Sequence, residues 1–508
     1  MKTIGELLNH ALKSYADLPA VRWLKKKEVM ERSYRELGEY ISAVRNGLAK
    51  EGFHGDHIAL IGTSSIEWVT AYFAVTTGEN VAVPLDAGLP AEDLIELLNR
   101  AHAKALFLSP KNISLAGQVR VSCPEIQKIW LLSEEKGADM ETIEDIKAAG
   151  AGDAGEFHGR PEDTATIIYT SGTTGKSKGV MLTQENIAQN VESVQYEKEP
   201  GCVMLSVLPV HHAFCLVMDW MKGFSLGAVV CINDSFMHMV RNMSIFKPEV
   251  MLMVPMMIEM IYKRLSAADP AIPKRILAEK VFGGNLKIIF TGGAHLDPFY
   301  IDQFADYGVD VFEGYGMSEC SPVISSNTPD HHKRGLIGRP LPNAEIRIEN
   351  GEILVRSTSV MRGYLDMPKE TEETLKDGWL HTGDKGYLDE DGFLFINGRV
   401  KNLIILSNGE NISPEEIENK LALEPLVGEV VITGENNGLT ARIYADQDVI
   451  RIKNLSGDDV RAELQNILDT YNKSQPTYRQ ITGLVVRKNP FIRNATGKIK
   501  RTEAEVDE

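Results

Sequence analysis

Apolar runs and amphipathic stretches alternate between residues 57 and 108 of the chain. This pattern predicts strands at 57–61 and 80–85 and helices at 65–77 and 91–101, the helices being amphipathic. Strands and helices in alternation are typical of a parallel sheet covered by helices. Further apolar runs predict strands at 203–208, 228–232 and 286–290. We therefore expect a large N-terminal domain of layered α/β sheets.

The pattern changes after about residue 340, where short apolar runs are separated by Gly, Asp and Asn. These runs predict a small β region with strands at 344–348, 351–356 and 392–397. A helix is predicted to begin near Ser413, with Ser413 as the N-cap and Pro414 at the first helical position. The remaining hundred or so residues favour a smaller α+β C-terminal domain.

Residues 169–180 concentrate glycine, hydroxyl and lysine groups between two short apolar runs. Such a loop suits a polyphosphate, because glycines allow a tight backbone while hydroxyls and lysines meet phosphate oxygens. A Walker A loop ending in Gly175-Lys176-Ser177 would need glycine at position 170, where this chain has Thr170. The flanks predict strand, loop and strand, with a helix starting at Thr183. An ordinary solvated glycine-serine turn is the alternative.

The composition limits the classes of function. A chain of 508 residues predicts two or more domains, and a net charge of -17 argues against general binding of nucleic acid or an anionic membrane. The five cysteines form no C-x-x-C pair, which argues against a disulfide framework or a zinc site. We see no secretory signal, and the longest apolar stretch, 250–258, is too short to span a membrane. A cytoplasmic protein, with peripheral membrane contact left open, is the expectation.

Five segments resemble, in order, the motifs of one enzyme family. They are residues 169–180, 314–319, 382–384, 398–401 and 494–498. On these motifs the chain resembles the acyl-adenylate-forming enzymes, which include acyl-CoA synthetases, firefly luciferases and the adenylation domains of peptide synthetases. It looks most like the fatty acyl branch, particularly the long-chain-fatty-acid-CoA ligases.

The resemblance implies an AMP-forming acid–thiol ligase. Such an enzyme joins a carboxylic acid, here most closely a fatty acid, to AMP with release of pyrophosphate, and then transfers the acyl group to the thiol of coenzyme A. ATP, Mg²⁺ and coenzyme A are the implied cofactors. The first step brings two anions together, so the site needs positive charge and a metal.

The resemblance also implies roles for individual residues. The implied catalytic residues are Thr174, Lys178, Glu319 and Lys498, and Glu319 is also the implied Mg²⁺ ligand. The implied nucleotide-binding residues are Thr170, Ser171, Gly172, Thr173, Thr174, Gly175, Lys178, Gly292, Gly293, Ala294, Glu313, Gly314, Tyr315, Gly316, Met317, Ser318, Asp384 and Arg399. Asp384 would accept the ribose hydroxyls and Arg399 would lie near them. The alternatives are a structural salt bridge for this pair, a solvated surface glutamate for Glu319 and an ordinary turn at 292–294.

In this family a large N-terminal domain is followed by a mobile lid. The resemblance implies domains at 1–398 and 399–508 with a hinge near Lys401. Lys498 would bridge the carboxylate and the α-phosphate when the lid closes, and Gly409 would pass the thiol arm after the lid rotates. Asn402 stands where the family frequently has Asp. Without the family pattern, Lys498 reads as part of a solvated basic terminus.

The acid substrate is only partly indicated. The resemblance implies His212, Phe214, Gly293, Gly316 and Met317 as its binding residues. Residues 210–216 contain no acid, which argues against an amino acid substrate. The methionines at 218, 221 and 251–257 fit either an apolar tunnel or a simple core.

Four alternatives therefore stay open. An aryl acid could replace the fatty acid, and an acyl carrier protein could replace coenzyme A as the acceptor. A kinase would release ADP rather than AMP, and an inactive adenylate-binding scaffold would be expected to have lost some of Lys178, Glu319, Asp384 or Lys498. All four residues are present.

Overall fold

The computed structural model describes residues 1–135, 140–152, 155–170, 177–269, 271–405, 411–435, 438–493, 499–504 and 506. The α-helices are α1 (Ile4–Ser14), α2 (Tyr34–Lys50), α3 (Ile66–Thr76), α4 (Ala91–Arg100), α5 (Leu115–Ser122), α6 (Ile143–Ala149), α7 (Gln184–Ser193), α8 (Gly223–Ser225), α9 (Met239–Phe246), α10 (Pro255–Ser266), α11 (Lys274–Phe282), α12 (Pro298–Ala305), α13 (Pro368–Thr374), α14 (Pro414–Leu421), α15 (Gln447–Lys453) and α16 (Gly457–Lys473). A π-helix, Phe214–Lys222, runs directly into α8.

The first fifteen strands are β1 (Pro19–Lys25), β2 (Glu28–Ser33), β3 (His57–Ile61), β4 (Val81–Leu85), β5 (Ala105–Leu108), β6 (Lys128–Leu131), β7 (Thr164–Thr170), β8 (Lys178–Thr183), β9 (Val203–Ser206), β10 (Val229–Ile232), β11 (Val250–Met253), β12 (Ile288–Thr291), β13 (Asp310–Gly316), β14 (Val323–Ser326) and β15 (Arg339–Pro340). The later strands are β16 (Ala344–Glu349), β17 (Glu352–Ser357), β18 (Gly363–Tyr364), β19 (Leu375–Lys376), β20 (Trp379–Leu388), β21 (Leu394–Arg399), β22 (Ile404–Ile405), β23 (Asn411–Ile412), β24 (Val427–Glu435), β25 (Gly438–Ala445) and β26 (Ile481–Val486).

Two large mixed sheets dominate the first part of the chain. One has nine strands in the order β15-β14-β13-β12-β11-β9-β10-β1-β2, and the other has seven in the order β18-β8-β7-β4-β3-β5-β6. Parallel pairing runs from β13 to β1 in the first sheet and from β7 to β6 in the second. The predicted α/β fold class is confirmed.

Smaller sheets follow. Strands β16, β17, β20 and β19 form a sheet in that order, with β21 paired to β20. Strands β24, β25 and β26 form a three-stranded sheet, and β22 pairs with β23. The strands expected at 344–348, 351–356 and 392–397 are thus present, within two residues of the predicted bounds.

Contacts along the chain divide it into two compact units. The first comprises residues 1–346 and 355–380, and the second comprises residues 347–354 and 381–508. The first unit holds both large sheets and the largest hydrophobic core. The second has its own core, in which Ile417, Ile432, Ile443 and Leu464 pack together. The predicted domain boundary at 398/399 remains a prediction.

Helix α3 differs from its prediction. The sequence predicts an amphipathic helix at 65–77, yet in the structure Ile66 and every residue from 68 to 76 are buried. The ring of Phe73 lies 5.5 Å from that of Phe224, which itself packs 5.5 Å from Tyr34 of α2. Neighbouring helices therefore cover the side that the sequence pattern assigned to solvent, since a helix enclosed on every side needs no polar face.

The two predicted helix starts have different outcomes. Thr183 caps α7 as expected, because its hydroxyl accepts the Asn186 N–H. Ser413 occupies the N-cap position of α14, but its hydroxyl donates to the Glu415 carboxylate at 3.0 Å and makes no cap hydrogen bond. Pro414 is the first helical residue, as predicted. Within the described residues, no helix is long and apolar enough to cross a bilayer.

Candidate adenylate site

The predicted phosphate loop connects two antiparallel strands. Thr170 ends β7 and Lys178 begins β8, and these two residues are partners across the ladder. The strand, loop and strand order is therefore confirmed, although Ser171, Gly172, Thr173, Thr174 and Gly175 lie outside the described residues. At the exit of the loop, the Arg100 guanidinium donates to the carbonyl oxygen of Ser177 at 2.6 Å.

Arg100 was not identified from the sequence. It is the last residue of α4, far from the loop in the chain, and its guanidinium also lies 5.7 Å from the centre of the Tyr169 ring. A salt-bridge pattern with Glu96 four residues earlier is visible in the sequence, but it indicates only a solvated helix face.

A glycine-rich surface lies where β12 and β13 end. These strands are parallel neighbours, and Thr291 pairs with Glu313, so the residues that follow each strand share one edge of the sheet. Gly293 and Ala294 are exposed there, and residues 314–318 are half-buried. Ligands of open α/β sheets bind at the carboxyl ends of strands. The structure therefore brings together the predicted nucleotide-binding residues 292–294 and 313–318, including Tyr315, Met317 and Ser318.

Gly316 is required by close packing. A Cβ at this position would lie 2.0 Å from the carbonyl oxygen of Pro322. The backbone of Met317 donates to the same carbonyl at 2.9 Å, which holds the turn tightly. Any larger residue at 316 would displace the segment that leads to Glu319.

Two buried polar atoms at this edge have no partner in the described part of the chain. They are Thr291 Oγ1 and Glu313 Oε2. Burial raises the pKa of Glu313 to about 8, although the backbone N–H of Leu296 donates to the carboxyl. Unpaired polar atoms are costly inside a protein, so their presence at one edge supports a polar ligand there.

Glu319 and Lys178 meet at one tyrosine. The Tyr364 hydroxyl donates to Glu319 Oε1 at 2.8 Å, and the Lys178 ammonium lies 4.6 Å from the centre of the Tyr364 ring. Tyr364 and Glu319 are both buried, with 5% and 9% of their surface exposed. Burial, and then the Glu319 carboxylate, raise the pKa of Tyr364, so the phenol keeps its proton and remains a donor.

Glu319 suits magnesium bound to phosphates. Among the described residues, no group of three or more His, Cys, Asp or Glu side chains is arranged to hold a metal ion. Mg²⁺ typically takes only one or two carboxylates from a protein when phosphates supply other oxygens. The residues present therefore fit a phosphate-bound Mg²⁺ at Glu319 better than a metal site made by protein alone.

The predicted acyl-binding segment contains a histidine pair. The rings of His211 and His212 lie 4.3 Å apart, and His211 Nε2 is 3.8 Å from a carboxylate oxygen of Asp86. Burial and then His212 lower the pKa of His211 to about 4, so the imidazole is neutral at pH 7. Phe214 is half-buried and begins the π-helix, a rare geometry that often accompanies functional sites.

The methionines near this segment belong mostly to the core. Met221, Met251 and Met253 are fully buried in the main hydrophobic cluster, while Met256 is 62% exposed. The simple-core alternative therefore describes Met221, Met251 and Met253.

Asp219 in the π-helix was missed by the sequence analysis, because nothing in the local pattern marks it. Its side chain is completely buried, and Ser206 donates a hydrogen bond to it at 2.9 Å. Burial raises the pKa of Asp219 to about 7. The folded chain therefore holds this carboxyl protonated in acid and must bury its charge in alkali.

We expect Asp219→Asn to remove a pH-dependent loss of stability. The group binds its proton more tightly when folded, so its contribution is complete below pH 4 and falls by about 1.4 kcal/mol per pH unit up to pH 7. The thermal midpoint of the variant should thus rise relative to that of the unmodified protein as the pH increases from 4.5 to 7.5. Asp17→Asn, at a side chain that is 88% exposed, is the control and should follow the unmodified protein. If the thermal midpoints of Asp219→Asn and the unmodified protein changed in parallel with pH, the prediction would be contradicted.

The second unit contains the predicted ribose-binding pair. Asp384 and Arg399 are partners across β20 and β21, and Arg399 Nε lies 2.8 Å from Asp384 Oδ1. Asp384 is buried, and its backbone N–H donates to the Thr382 hydroxyl at 3.0 Å. The salt bridge that the sequence left open is therefore present, and the role in ribose binding remains a prediction.

The hinge segment is described on both sides of Lys401. Lys401 is exposed in a short 3-10 helix, Val400–Asn402, and the Asn402 amide donates to Glu415 at 2.5 Å. Gly398 must be glycine, since a Cβ there would lie 2.0 Å from the Ser413 hydroxyl. Gly409 and Lys498 lie outside the described residues.

Comparison with known families identifies the family of this chain. The family of AMP-binding enzymes matches residues 8–365, and the C-terminal domain of AMP-binding enzymes matches residues 401–507. Fold and site together define an acyl-adenylate-forming enzyme. The chain belongs to the family of AMP-binding enzymes.

Individual relatives agree with this assignment. The long-chain-fatty-acid–CoA ligase FadD15 of Mycobacterium bovis is 28% identical over 451 residues, covering 79% of this chain and 74% of that protein. The crystal structure of the anthranilate CoA ligase AuaEII with anthranoyl-AMP has a TM-score of 0.84 at 20% identity, covering 99% of this chain and 97% of the other. ATP-bound MatB from Rhodopseudomonas palustris has a TM-score of 0.82 at 25% identity, covering 99% and 100%. The predicted enzyme class, an acid–thiol ligase, is confirmed.

Proposed function

We propose that this enzyme activates a fatty acid with ATP and transfers the acyl group to coenzyme A. The observation that carries the proposal is the convergence of Lys178 and Glu319 on Tyr364, beside the strands that enclose the predicted phosphate loop. A cation and a carboxylate held together next to such a loop suit a triphosphate with its metal.

The proposed reaction has two steps. A carboxylate oxygen of the acid bonds to the α-phosphorus, the bond to the β-phosphate oxygen breaks, and pyrophosphate leaves. The sulfur of coenzyme A then bonds to the acyl carbon, the bond to the AMP oxygen breaks, and the thiol proton is lost to solvent. Bound Mg²⁺ would offset negative charge on the phosphates.

The residues divide these tasks in our proposal. Thr170 to Gly175 and Lys178 hold the phosphates, and residues 292–294 and 313–318 form the surface for adenosine. Glu319 would hold the metal. In the second unit, Asp384 and Arg399 bind the ribose, and Lys498 bridges the carboxylate and the α-phosphate.

A fatty acid is the proposed substrate because FadD15, a long-chain-fatty-acid–CoA ligase, is among the similar proteins. His212, Phe214, Gly293, Gly316 and Met317 are its proposed contacts. An aryl acid is the second candidate, since the anthranilate CoA ligase has the same fold. An acyl carrier protein is the alternative acceptor, because it carries the same thiol arm as coenzyme A.

The proposal is tested by AMP and pyrophosphate release with ATP, Mg²⁺ and matched fatty and aryl acids, each with and without coenzyme A. Acid-dependent release of both products that rises with coenzyme A supports it and identifies the acid class. If the adenylate forms but turns over only with a carrier protein, that protein would replace coenzyme A as the proposed acceptor. Absence of acid-dependent AMP would refute catalysis and favour an adenylate-binding scaffold.

Lys401→Pro should separate the two steps if residue 401 is the hinge of a rotating C-terminal domain, as we propose. Proline fixes φ and restricts Val400 before it, so a backbone rotation at this point would be blocked. We expect adenylate formation within about twofold of normal and thioester formation slowed at least about tenfold, by analogy with other hinge changes. Lys401→Ala, which keeps the backbone free, is the matched control. Single-turnover measurement of each step tests this prediction, and equal losses in both steps would argue against a hinge.

A further inference from the structure

Tyr364 connects the two groups proposed to hold the phosphates and the metal. Its hydroxyl donates to Glu319 Oε1, and its ring lies under the Lys178 ammonium. Within the described part of the chain, no hydrogen bond reaches the second oxygen of Glu319 and no carboxylate pairs with Lys178. One carboxylate oxygen thus accepts from Tyr364, and the other has no hydrogen-bond partner in the described part of the chain.

The backbone around Tyr364 is held from two sides. Residues 363 and 364 pair with Met181 and Val180 of β8, and the Leu365 N–H donates to the Gly179 carbonyl at 2.8 Å. The same short segment reaches the other group, because the Met361 N–H donates to the Glu319 carbonyl at 2.8 Å. Strand β18 therefore joins the strand that begins with Lys178 to the turn that carries Glu319.

The backbone of Tyr364 is held at a further point by Thr371. The Tyr364 N–H donates to the Thr371 hydroxyl at 2.9 Å, and that hydroxyl donates to the Met367 carbonyl at 2.8 Å. The Tyr364 side chain is buried, and its hydrogen bond to Glu319 Oε1 restrains the rotation of the carboxylate. Hydrogen bonds to a charged acceptor are the stronger ones, which makes this restraint effective.

We propose that Tyr364 is a positioning residue, which orients Glu319 through its hydroxyl and Lys178 through its ring so that both face the metal–triphosphate. This inference rests on the proposed function and adds to it a residue outside the predicted site. Tyr364 acts through Glu319 and Lys178, and it does not itself contact the reacting atoms.

The test measures metal binding rather than turnover. Mn²⁺ is the probe, its free concentration followed by electron paramagnetic resonance with the enzyme and α,β-methylene-ATP, which cannot form an adenylate. Tyr364→Phe removes only the hydroxyl and keeps the ring beside Lys178. We expect Mn²⁺ to bind about tenfold more weakly in this ternary complex, as for loss of one hydrogen bond to a charged group. Affinity for the analogue without metal should stay within twofold.

The matched control is Tyr34→Phe. Tyr34 is also buried, belongs to the same unit, and donates its hydroxyl hydrogen to the Ala228 carbonyl at 2.7 Å. It should lose thermal stability without any change in Mn²⁺ affinity. Equal Mn²⁺ losses in both variants would reduce Tyr364 to a structural residue, and unchanged Mn²⁺ affinity in Tyr364→Phe would overturn the proposal.

A double-mutant cycle tests whether the Tyr364 hydroxyl affects Mn²⁺ binding through Glu319. In a Glu319→Gln background the carboxylate is gone, so adding Tyr364→Phe should weaken Mn²⁺ binding by less than about twofold. A further tenfold loss would show that the hydroxyl does not act through Glu319. If the unmodified protein bound no analogue at all, the proposed function would fail and this inference with it. Normal binding that is insensitive to Tyr364→Phe would refute the inference alone.

Discussion

Replacing Lys498 with alanine should slow formation of the acyl-adenylate by at least about a hundredfold, the effect of removing one donor that stabilises transition-state charge. In the proposed reaction two anions approach each other, and the Lys498 ammonium offsets the charge that they share. The loss should fall on the rate constant at saturating ATP and acid, because a transition-state contact is removed. Single-turnover conversion of ATP to AMP, measured with quenched flow, checks the result.

The described residues on either side of Lys498 are anchored within the second unit, so we expect the substitution to leave the fold of that unit intact. Arg493 and Ile499 form an isolated antiparallel bridge on either side of it. Glu429 accepts the Phe491 N–H at 2.7 Å, and Arg487 donates to the Ala504 carbonyl at 2.5 Å. Lys488→Ala, which removes an exposed lysine from the same unit, is the control and should be nearly normal. A normal adenylation rate in Lys498→Ala would remove Lys498 from the proposed mechanism.

Replacing Glu319 with glutamine should have the second large effect. The change keeps the size of the side chain and the oxygen that accepts the Tyr364 hydroxyl, but it removes the negative charge that a divalent cation prefers. We expect adenylate formation at about 1 mM Mg²⁺ to fall by about a hundredfold, as when one electrostatic group is lost. Raising the Mg²⁺ concentration should recover part of the rate, because the defect lies in metal binding.

The control for this change is Glu67→Gln. Glu67 lies in helix α3 of the same unit, and burial raises its pKa, so it tests the effect of neutralising a sheltered glutamate elsewhere. Its variant should keep a normal Mg²⁺ dependence. A Glu319→Gln enzyme with a normal rate at every Mg²⁺ concentration would favour the alternative of a structural glutamate.

Local patterns predicted the elements that depend on local signals. Strand β3 has the predicted bounds His57–Ile61, and α7 begins after Thr183, because apolar runs and capping residues act within a few positions of themselves. The same reasoning was wrong for α3, because other helices cover the side that the sequence pattern left exposed. It also failed for Ser413, where a nearby Glu415 competes for the hydroxyl that would cap the helix.

The candidate site shows the same division. The resemblance to the family's motifs pointed to residues 313–319 and to the loop after Thr170, and the structure brings Lys178 and Glu319 to one side chain. Tyr364 could not be found in this way, since nothing in its neighbours indicates a contact with a residue 45 positions away. Asp219 and Arg100 were missed for the same reason, because burial and long-range hydrogen bonds depend on the fold.

The sequence by itself determined the family, the α/β class and the types of residue available for the chemistry, because motifs, periodicity and composition are local properties of the chain. Only the tertiary structure decided which of those residues meet. Strand β18 returns to pair with β8, and that pairing places the Tyr364 phenol between the Lys178 ammonium and the Glu319 carboxylate. Such a contact depends on the relative placement of distant strands, which the packing of the whole unit fixes and no local pattern records.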